Sequence, residues 1–390
     1  MLKGSLEMLR PIIPRHFRSL SKVAVKHKER LDDKMQAWQI HSYGGLEELK
    51  LCTTRMPVIT RPSDVLIKVD ASSVNPFDLS LTRGYGSKVL NFMRKAKNLG
   101  AESDIEFPLT LGRDFAGTVV SKGHGVGGRL KLGEEVWGVV PVEQQGCHAE
   151  YVIANESLVN PRPRNISCIE AASIPYAGLT AWSALWLSGG LCYKTAVATR
   201  RNKRVLVLGG SGGVGTLAIQ MLKAWNMHVI TTCSSDAVNV LEKIGADVVI
   251  DYKEDRADEK LVCEGPYDII LDCANQGPDV IKAKGYPHYT YITLNSPLLK
   301  NIDERGFISG TVKNVGDFVK YNFPSKENKG FVKWGFFAPS KTGLDALQKF
   351  VENGQLVSVV KKVYPFQELP RAYERIAQGH LRGKLVVDMN

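Results

Sequence analysis

The chain has 390 residues, 44% hydrophobic and 23% charged, with 51 Lys+Arg, 40 Asp+Glu and a formal net charge of +11. That composition is that of a globular protein large enough for two domains with ample core. No apolar run approaches the ~20 residues of a membrane-spanning helix, so no transmembrane segment is expected. No compact basic and aromatic stripe appears either, so no nucleic-acid partner is expected.

Residues 1–30 carry eight basic residues, from Lys3 to Arg30, against Glu7 and Glu29. Leu6, Leu9, Ile12, Ile13, Phe17 and Leu20 can share one helix face. This is the pattern of a mitochondrial transit peptide, with a disordered basic tail as the alternative; on either reading residues 1–34 stay outside the fold. The seven cysteines are dispersed, without a C-x-x-C pair. That points to a reducing compartment, with no disulfide framework and no metal site.

The fold is expected to begin near Met35. Gln36–Ile40 and Asp64–Ala71 read as strands, and Ser72 to Asp78 as a turn into a short helix. Lys88 to Glu106 is charged and aperiodic, the pattern of a surface loop or partial helix. From Pro108 to Ile153, short β runs punctuated by Gly suggest a small barrel-like all-β unit. Small-residue helices follow at Glu170–Ala172 and Gly178–Leu185.

At Arg204 the texture changes. Val205–Leu208 reads as a buried strand, and Gly210, Gly212 and Gly215 fit G-x-G-x-x-G before a helix at Thr216–Trp225. In that context Gly210, Ser211, Gly212, Gly213, Val214 and Gly215 form a pyrophosphate cradle at a helix start. Further strands at His228–Cys233, Val248–Ile250, Ile269–Cys273 and Tyr289–Leu294 alternate with helices, as in a doubly wound parallel sheet. Phe331–Phe337 reads as another strand and Leu344–Val351 as a helix. Val359–Tyr364 and Lys384–Asp388 are strands that return to the β unit.

Taken together, Ser73 to Asp78, Leu111 to Gly117, Gly209 to Gly215 and Gly245 to Tyr252 resemble the medium-chain dehydrogenase/reductases, in their zinc-free quinone-oxidoreductase branch. The resemblance runs from Met35 to the end. It implies an α/β fold, a GroES-like β-barrel catalytic domain with an inserted Rossmann doubly wound parallel sheet domain. The boundaries expected are leader 1–34, catalytic 35–180, Rossmann 181–335 and catalytic return 336–390. Ser87 to Pro108, Lys223 to Trp225, Trp334 to Phe337 and Gly379 to Lys384 resemble one mitochondrial member of that branch. That member implies a matrix oxidoreductase, possible association with a mitochondrial membrane, and a partner in ubiquinone synthesis or a reticulon-type membrane protein. Zinc-dependent relatives place ligands where this chain has Asn75 and Gly112-Arg113-Asp114, so no zinc is expected.

The second strand ends in Cys233-Ser234-Ser235, neutral where an NAD site offers an acid, which favours NADPH with Ser234 donating to its 2′-phosphate. Asp236 either grips a ribose or, the preferred reading, caps the next helix. The resemblance adds Tyr252 at the adenosine phosphate, Leu294 among the cofactor contacts, and His380, Leu381 and Arg382 closing over the cofactor. Trp334 and Phe336 share one side of a strand, a core pattern that the resemblance moves to the nicotinamide end. Asn75 is expected to orient nicotinamide or substrate. Tyr85 is a candidate proton or hydrogen-bond donor, or else a turn anchor. Arg113 and Asp114 are candidates for a salt bridge with each other. The leading expectation is hydride transfer from NADPH to a quinone. An enoyl or enone reductase and a non-catalytic NADPH-binding scaffold are the alternatives.

Overall fold

One strand, Asp64–Val74, carries the first half of the architecture. Its run of Val, Leu and Ile suits a surface buried on both faces. In the computed structural model, which describes residues 33–97, 106–191, 203–323 and 330–390, this strand pairs along one edge with Asp114–Lys122. Along the other edge its first half takes Tyr151–Asn155 and its second half Lys384–Asp388, both antiparallel. Register shifts at Leu66/Ile67 and Val69/Ala71 bend the ladder with Asp114–Lys122. A seven-stranded sheet results, completed by Val360–Pro365, Glu135–Val139 and Val159–Pro161.

The second sheet has six strands, all pairs parallel, in the order Val248–Asp251, His228–Cys233, Arg204–Leu208, Tyr267–Asp272, His288–Thr293, Phe331–Trp334. The chain starts in the middle, winds outward one way, then returns beside its start and winds the other way. The strand order therefore reverses between Arg204–Leu208 and Tyr267–Asp272, and the crevice beyond their carboxyl ends is where such sheets hold ligands.

Residues 35–390 form one compact unit. A single apolar cluster joins the sheets, from Ala116 and Trp137 through Leu179 and Leu347 to Val205, Leu217 and Val386. The wholly buried helix Pro175–Trp182 lies at its centre. Gly178 permits this close approach, because a Cβ there would stand 2.8 Å from Leu347 Cδ1.

The partial helix expected within Lys88–Glu106 is present as Ser87–Lys97, with Leu90 buried. Two expectations need correction. The strand expected over Phe331–Phe337 stops at Trp334. Two helices, Leu298–Arg305 and Phe307–Asn322, stand where no element was expected. The second was hidden because its apolar residues do not mark its buried side. The basic leader lies outside the described residues. Among the described residues no helix is long and apolar enough to cross a membrane.

Leu347 is fully buried where the two sheets share their core. Leu347→Ala is expected to cost roughly 2–5 kcal/mol. Urea unfolding followed by tryptophan fluorescence will measure it.

Candidate active site

A cavity of about 670 Å³ opens at the reversal point of the parallel sheet, within the range of small-molecule and cofactor sites. Its floor is the glycine loop. Gly209 has φ +75°. A Cβ on Gly210 would meet Thr231 Oγ1 at 2.0 Å, and one on Gly215 would meet Gly209 O at 2.5 Å. Both positions must be bare for strand and helix to close. Gly212 differs: the nearest atom to a Cβ there is Gly209 O at 3.6 Å, so its open side is cavity. The helix Gly213–Ala224 begins without a side-chain cap. Its first N–H groups have no intrahelical acceptor and carry the positive end of the dipole. Ser211, Gly212, Gly213, Val214 and Gly215 wall the cavity. Gly210 packs behind them.

The C-terminal segment is stitched onto this loop. Gly383 N–H donates to Ser211 O at 2.8 Å, and Gly212 and Gly383 form a parallel bridge. This holds His380, Leu381 and Arg382 on the rim, with Tyr252 and Leu294 also in the wall. Arg382 donates through Nε and Nη2 to the two carboxylate oxygens of Asp236, 3.2 Å each, and through Nη2 to Ser234 Oγ. Asp236 therefore does not cap the following helix. The turn Ser235–Ala237 has Ser234 at its N-cap position and no side-chain cap bond. The Ser234 hydroxyl, with Arg382, draws the Asp236 carboxyl down to about 2.

At the other end lies a buried polar network. Asp114, fully buried, accepts from Ser73 Oγ at 2.5 Å, Asn75 Nδ2 at 2.8 Å and the Tyr176 N–H. Lys384 Nζ lies 3.7 Å from Asp114 Oδ2 and donates to Asn75 Oδ1. Burial pushes the Asp114 carboxyl up and the Lys384 ammonium down, each opposed by the other's charge. Asn75 and Lys384 both reach the cavity wall.

The expected Arg113–Asp114 pair does not form. Successive strand residues point to opposite faces, and Arg113 turns away. Its Nε lies 3.6 Å from Asp78 Oδ1, while its Nη1 donates to Pro141 O and Gln144 O at 2.9 Å. Gly112, with φ +86°, faces the His148 ring, which a Cβ would meet at 2.5 Å. His148 Nε2 donates to Ser73 O at 3.2 Å, so Nδ1 accepts from Tyr373 OH at 3.2 Å. Burial lowers His148 to about 3, which keeps it neutral.

Three expected contacts fall elsewhere. Tyr85 packs edge-on against Phe77, ring centres 6.3 Å apart, and is not among the wall residues. Burial raises its phenol. Trp334 packs on Phe318 at 5.8 Å, and Phe336 is 59% exposed. Gly335 between them takes the inward direction, its Cβ site 3.0 Å from Ala184 Cβ and Leu294 Cδ2. Sequence reasoning missed Lys384 and the stacked wall formed by Phe77 and Tyr176, ring centres 6.2 Å apart. A lysine in an otherwise apolar strand, Lys384-Leu385-Val386-Val387, was the available signal.

Two family models match the chain: alcohol dehydrogenase GroES-like domain over residues 61–164, and zinc-binding dehydrogenase over residues 244–387. The chain is 48% identical to a mitochondrial NAD(P)H oxidoreductase of Drosophila melanogaster, covering 92% of this chain and 87% of that protein. It is 34% identical to the mitochondrial reticulon-4-interacting protein 1 of Caenorhabditis elegans, over 90% and 94% of the two. Its structure is similar to that of the quinone oxidoreductase from Coxiella burnetii, with TM-score 0.70, 28% identity and coverage of 92% and 100%.

Removing one partner of a buried ion pair leaves the other uncompensated. Lys384→Met is expected to cost roughly 3–5 kcal/mol, and Lys384→Met with Asp114→Leu to recover much of that loss. Chemical denaturation of the two variants will test the pairing.

Proposed function

The chain belongs to the medium-chain dehydrogenase/reductase superfamily, as an NAD(P)H oxidoreductase, and from that premise we propose that it passes hydride from NADPH to a quinone. Its relatives are named mitochondrial, and so is its location. A reticulon-type protein as partner belongs to the proposal by the name of the Caenorhabditis elegans relative, and service to ubiquinone synthesis extends the quinone acceptor proposed here.

The observation that carries the reading is the Lys384–Asn75–Asp114 network. A catalytic zinc requires three Cys, His or carboxylate ligands around an open position. Here the carboxylate of Asp114 and the carbonyl of Asn75 already hold an ammonium. Among the described residues no three His, Cys, Asp or Glu side chains gather around any point. These residues do not fit the metal of the zinc-binding dehydrogenase description. An acceptor that needs no Lewis acid suits such a site, and a quinone takes hydride readily because its product anion is aromatic.

The bound nicotinamide would supply the hydride; the chain supplies position and charge. The bare Gly212 and the uncapped helix start would take the pyrophosphate. Ser234, Arg382 and Tyr252 would take the 2′-phosphate, with the guanidinium exchanging Asp236 for the phosphate. Phe77 and Tyr176 offer flat faces for an aromatic ring. Lys384, held by Asp114, keeps a fixed positive charge where negative charge develops, without reorganisation during the reaction. Asn75 accepts from Lys384 and donates to Asp114, so its amide is fixed in one orientation.

Purified protein should oxidise NADPH faster with a short-chain ubiquinone analogue than with an enone. An enone preference would make it an enone reductase. Binding of NADPH without turnover of either would leave a scaffold. Arg382→Ala is expected to raise KM for NADPH about tenfold to a hundredfold, the value of a charged hydrogen bond, and to leave KM for NADH unchanged. An equal rise for both would remove Arg382 from the 2′-phosphate.

A further inference from the structure

The helix Phe307–Asn322 is built inside out. Its buried residues are Gly310 and Asn314. Gly310 lets it close on the preceding helix, since a Cβ would stand 2.6 Å from Asn301 O. Asn314 accepts from Asn301 Nδ2 at 2.7 Å and donates to Leu298 O at 3.1 Å. The apolar residues face outward: Ile308 is 86% exposed, Val312 68%, Val315 59% and Val319 51%. Their spacing of four, three and four puts them in one stripe, about 16 Å long at 1.5 Å per residue. Phe307 and Phe92 extend the face onto the helix Ser87–Lys97, ring centres 5.5 Å apart. Continuous exposed apolar faces of this kind mark an interaction surface.

The charge around the stripe narrows the partner. Over Ser87–Lys97 and Leu298–Asn322 there are eight basic residues and three acidic ones. Asp303 is spent on the backbone N–H groups of Gly86 and Lys88. Asp317 bonds Asn301 and pairs with Lys313, Lys300 pairs with Glu304, and Lys97 pairs with Glu143 from outside the two segments, which leaves a net excess of four positive charges. Lys313, paired with Asp317, and Lys320 stand seven residues apart and so share one flank of the stripe, with Lys320 long enough to reach past it. A second copy meeting this face about a two-fold axis would set like charge on like charge. An anionic lipid surface meets both features at once. Apolar side chains enter the acyl boundary, and each basic residue near the surface adds attraction to acidic headgroups.

We propose that the face formed by Phe307–Asn322 and Ser87–Lys97 is a membrane-docking surface that seats the protein on an anionic bilayer. The face begins at Leu298, four positions after Leu294 in the cavity wall. The proposal goes beyond the quinone reading and stands whatever the acceptor is.

The test is flotation of residues 35–390, free of the basic leader, with vesicles of phosphatidylcholine and cardiolipin or of phosphatidylcholine alone. The protein should float with the anionic vesicles and be released by high salt. Val312→Glu with Val315→Glu should weaken binding roughly tenfold or more, with the melting temperature and NADPH affinity unchanged. Lys320→Glu should weaken binding to the cardiolipin vesicles alone. Failure of the parent protein to float overturns the proposal, as does equal flotation of the Val312→Glu, Val315→Glu variant. So does sedimentation showing a dimer that this variant splits, which would assign the face to a second copy. None of these readouts depends on turnover, so the quinone reading can fail without it.

Discussion

The buried pair of Lys384 and Asp114 is the contact on which the site depends. Lys384 begins the last strand, and Asp114 begins the strand that pairs with Asp64–Val74 on its opposite edge. Their attraction therefore joins the last element of the chain to the early sheet, across the strand between them. Neither charge would be tolerated alone at that depth. Ser73, Asn75 and the Tyr176 N–H complete the carboxylate's acceptor capacity, and Asn75 turns its carbonyl to the ammonium. The same contacts fix Asn75 at the head of the helix Pro76–Thr82 and anchor the start of the helix Pro175–Trp182. Structure and chemistry draw on one network there.

At the other end of the cavity the same segment acts through Arg382. The bond from Gly383 to Ser211 fixes the guanidinium opposite the tip of the strand His228–Cys233. Asp236 and Ser234 hold it there. An acid beside the arginine proposed for the 2′-phosphate is adverse to an anionic ligand. The carboxylate competes with an anion for the guanidinium, while its contacts, with that of Ser234, hold Arg382 in one orientation, so less side-chain ordering remains when an anion displaces it. A short stretch of chain, Gly379 to Lys384, thus serves both ends of the cleft.

The exposed face near Phe307 follows a different logic. Core formation would have turned Ile308, Val312, Val315 and Val319 inward and Asn314 outward. The close approach at Gly310 and the Asn301–Asn314 bond impose the reverse. Surface that folding leaves apolar at this scale is accounted for by what it meets outside the chain.

Local pattern was enough for the glycine loop and the alternating strands, whereas Tyr252 and Arg382 were expected at the cofactor only through the family resemblance, and both line the cavity. The loop and the strands depend on spacing along a few consecutive residues: glycines that must be bare and strands whose period is two. What tertiary structure decided was pairing between distant residues. Arg113 and Asp114 are adjacent in sequence and part company because pleating sends them to opposite faces. The strand ends at Trp334, so the alternation expected to pair it with Phe336 lapses: Trp334 packs on Phe318, Phe336 is exposed, and Gly335 takes the inward direction. Lys384 finds Asn75 and Asp114 only when the last strand closes on the first sheet. Sequence fixes local geometry because its forces act between near neighbours; the partners of buried charges are chosen by the packing that removes water from around them.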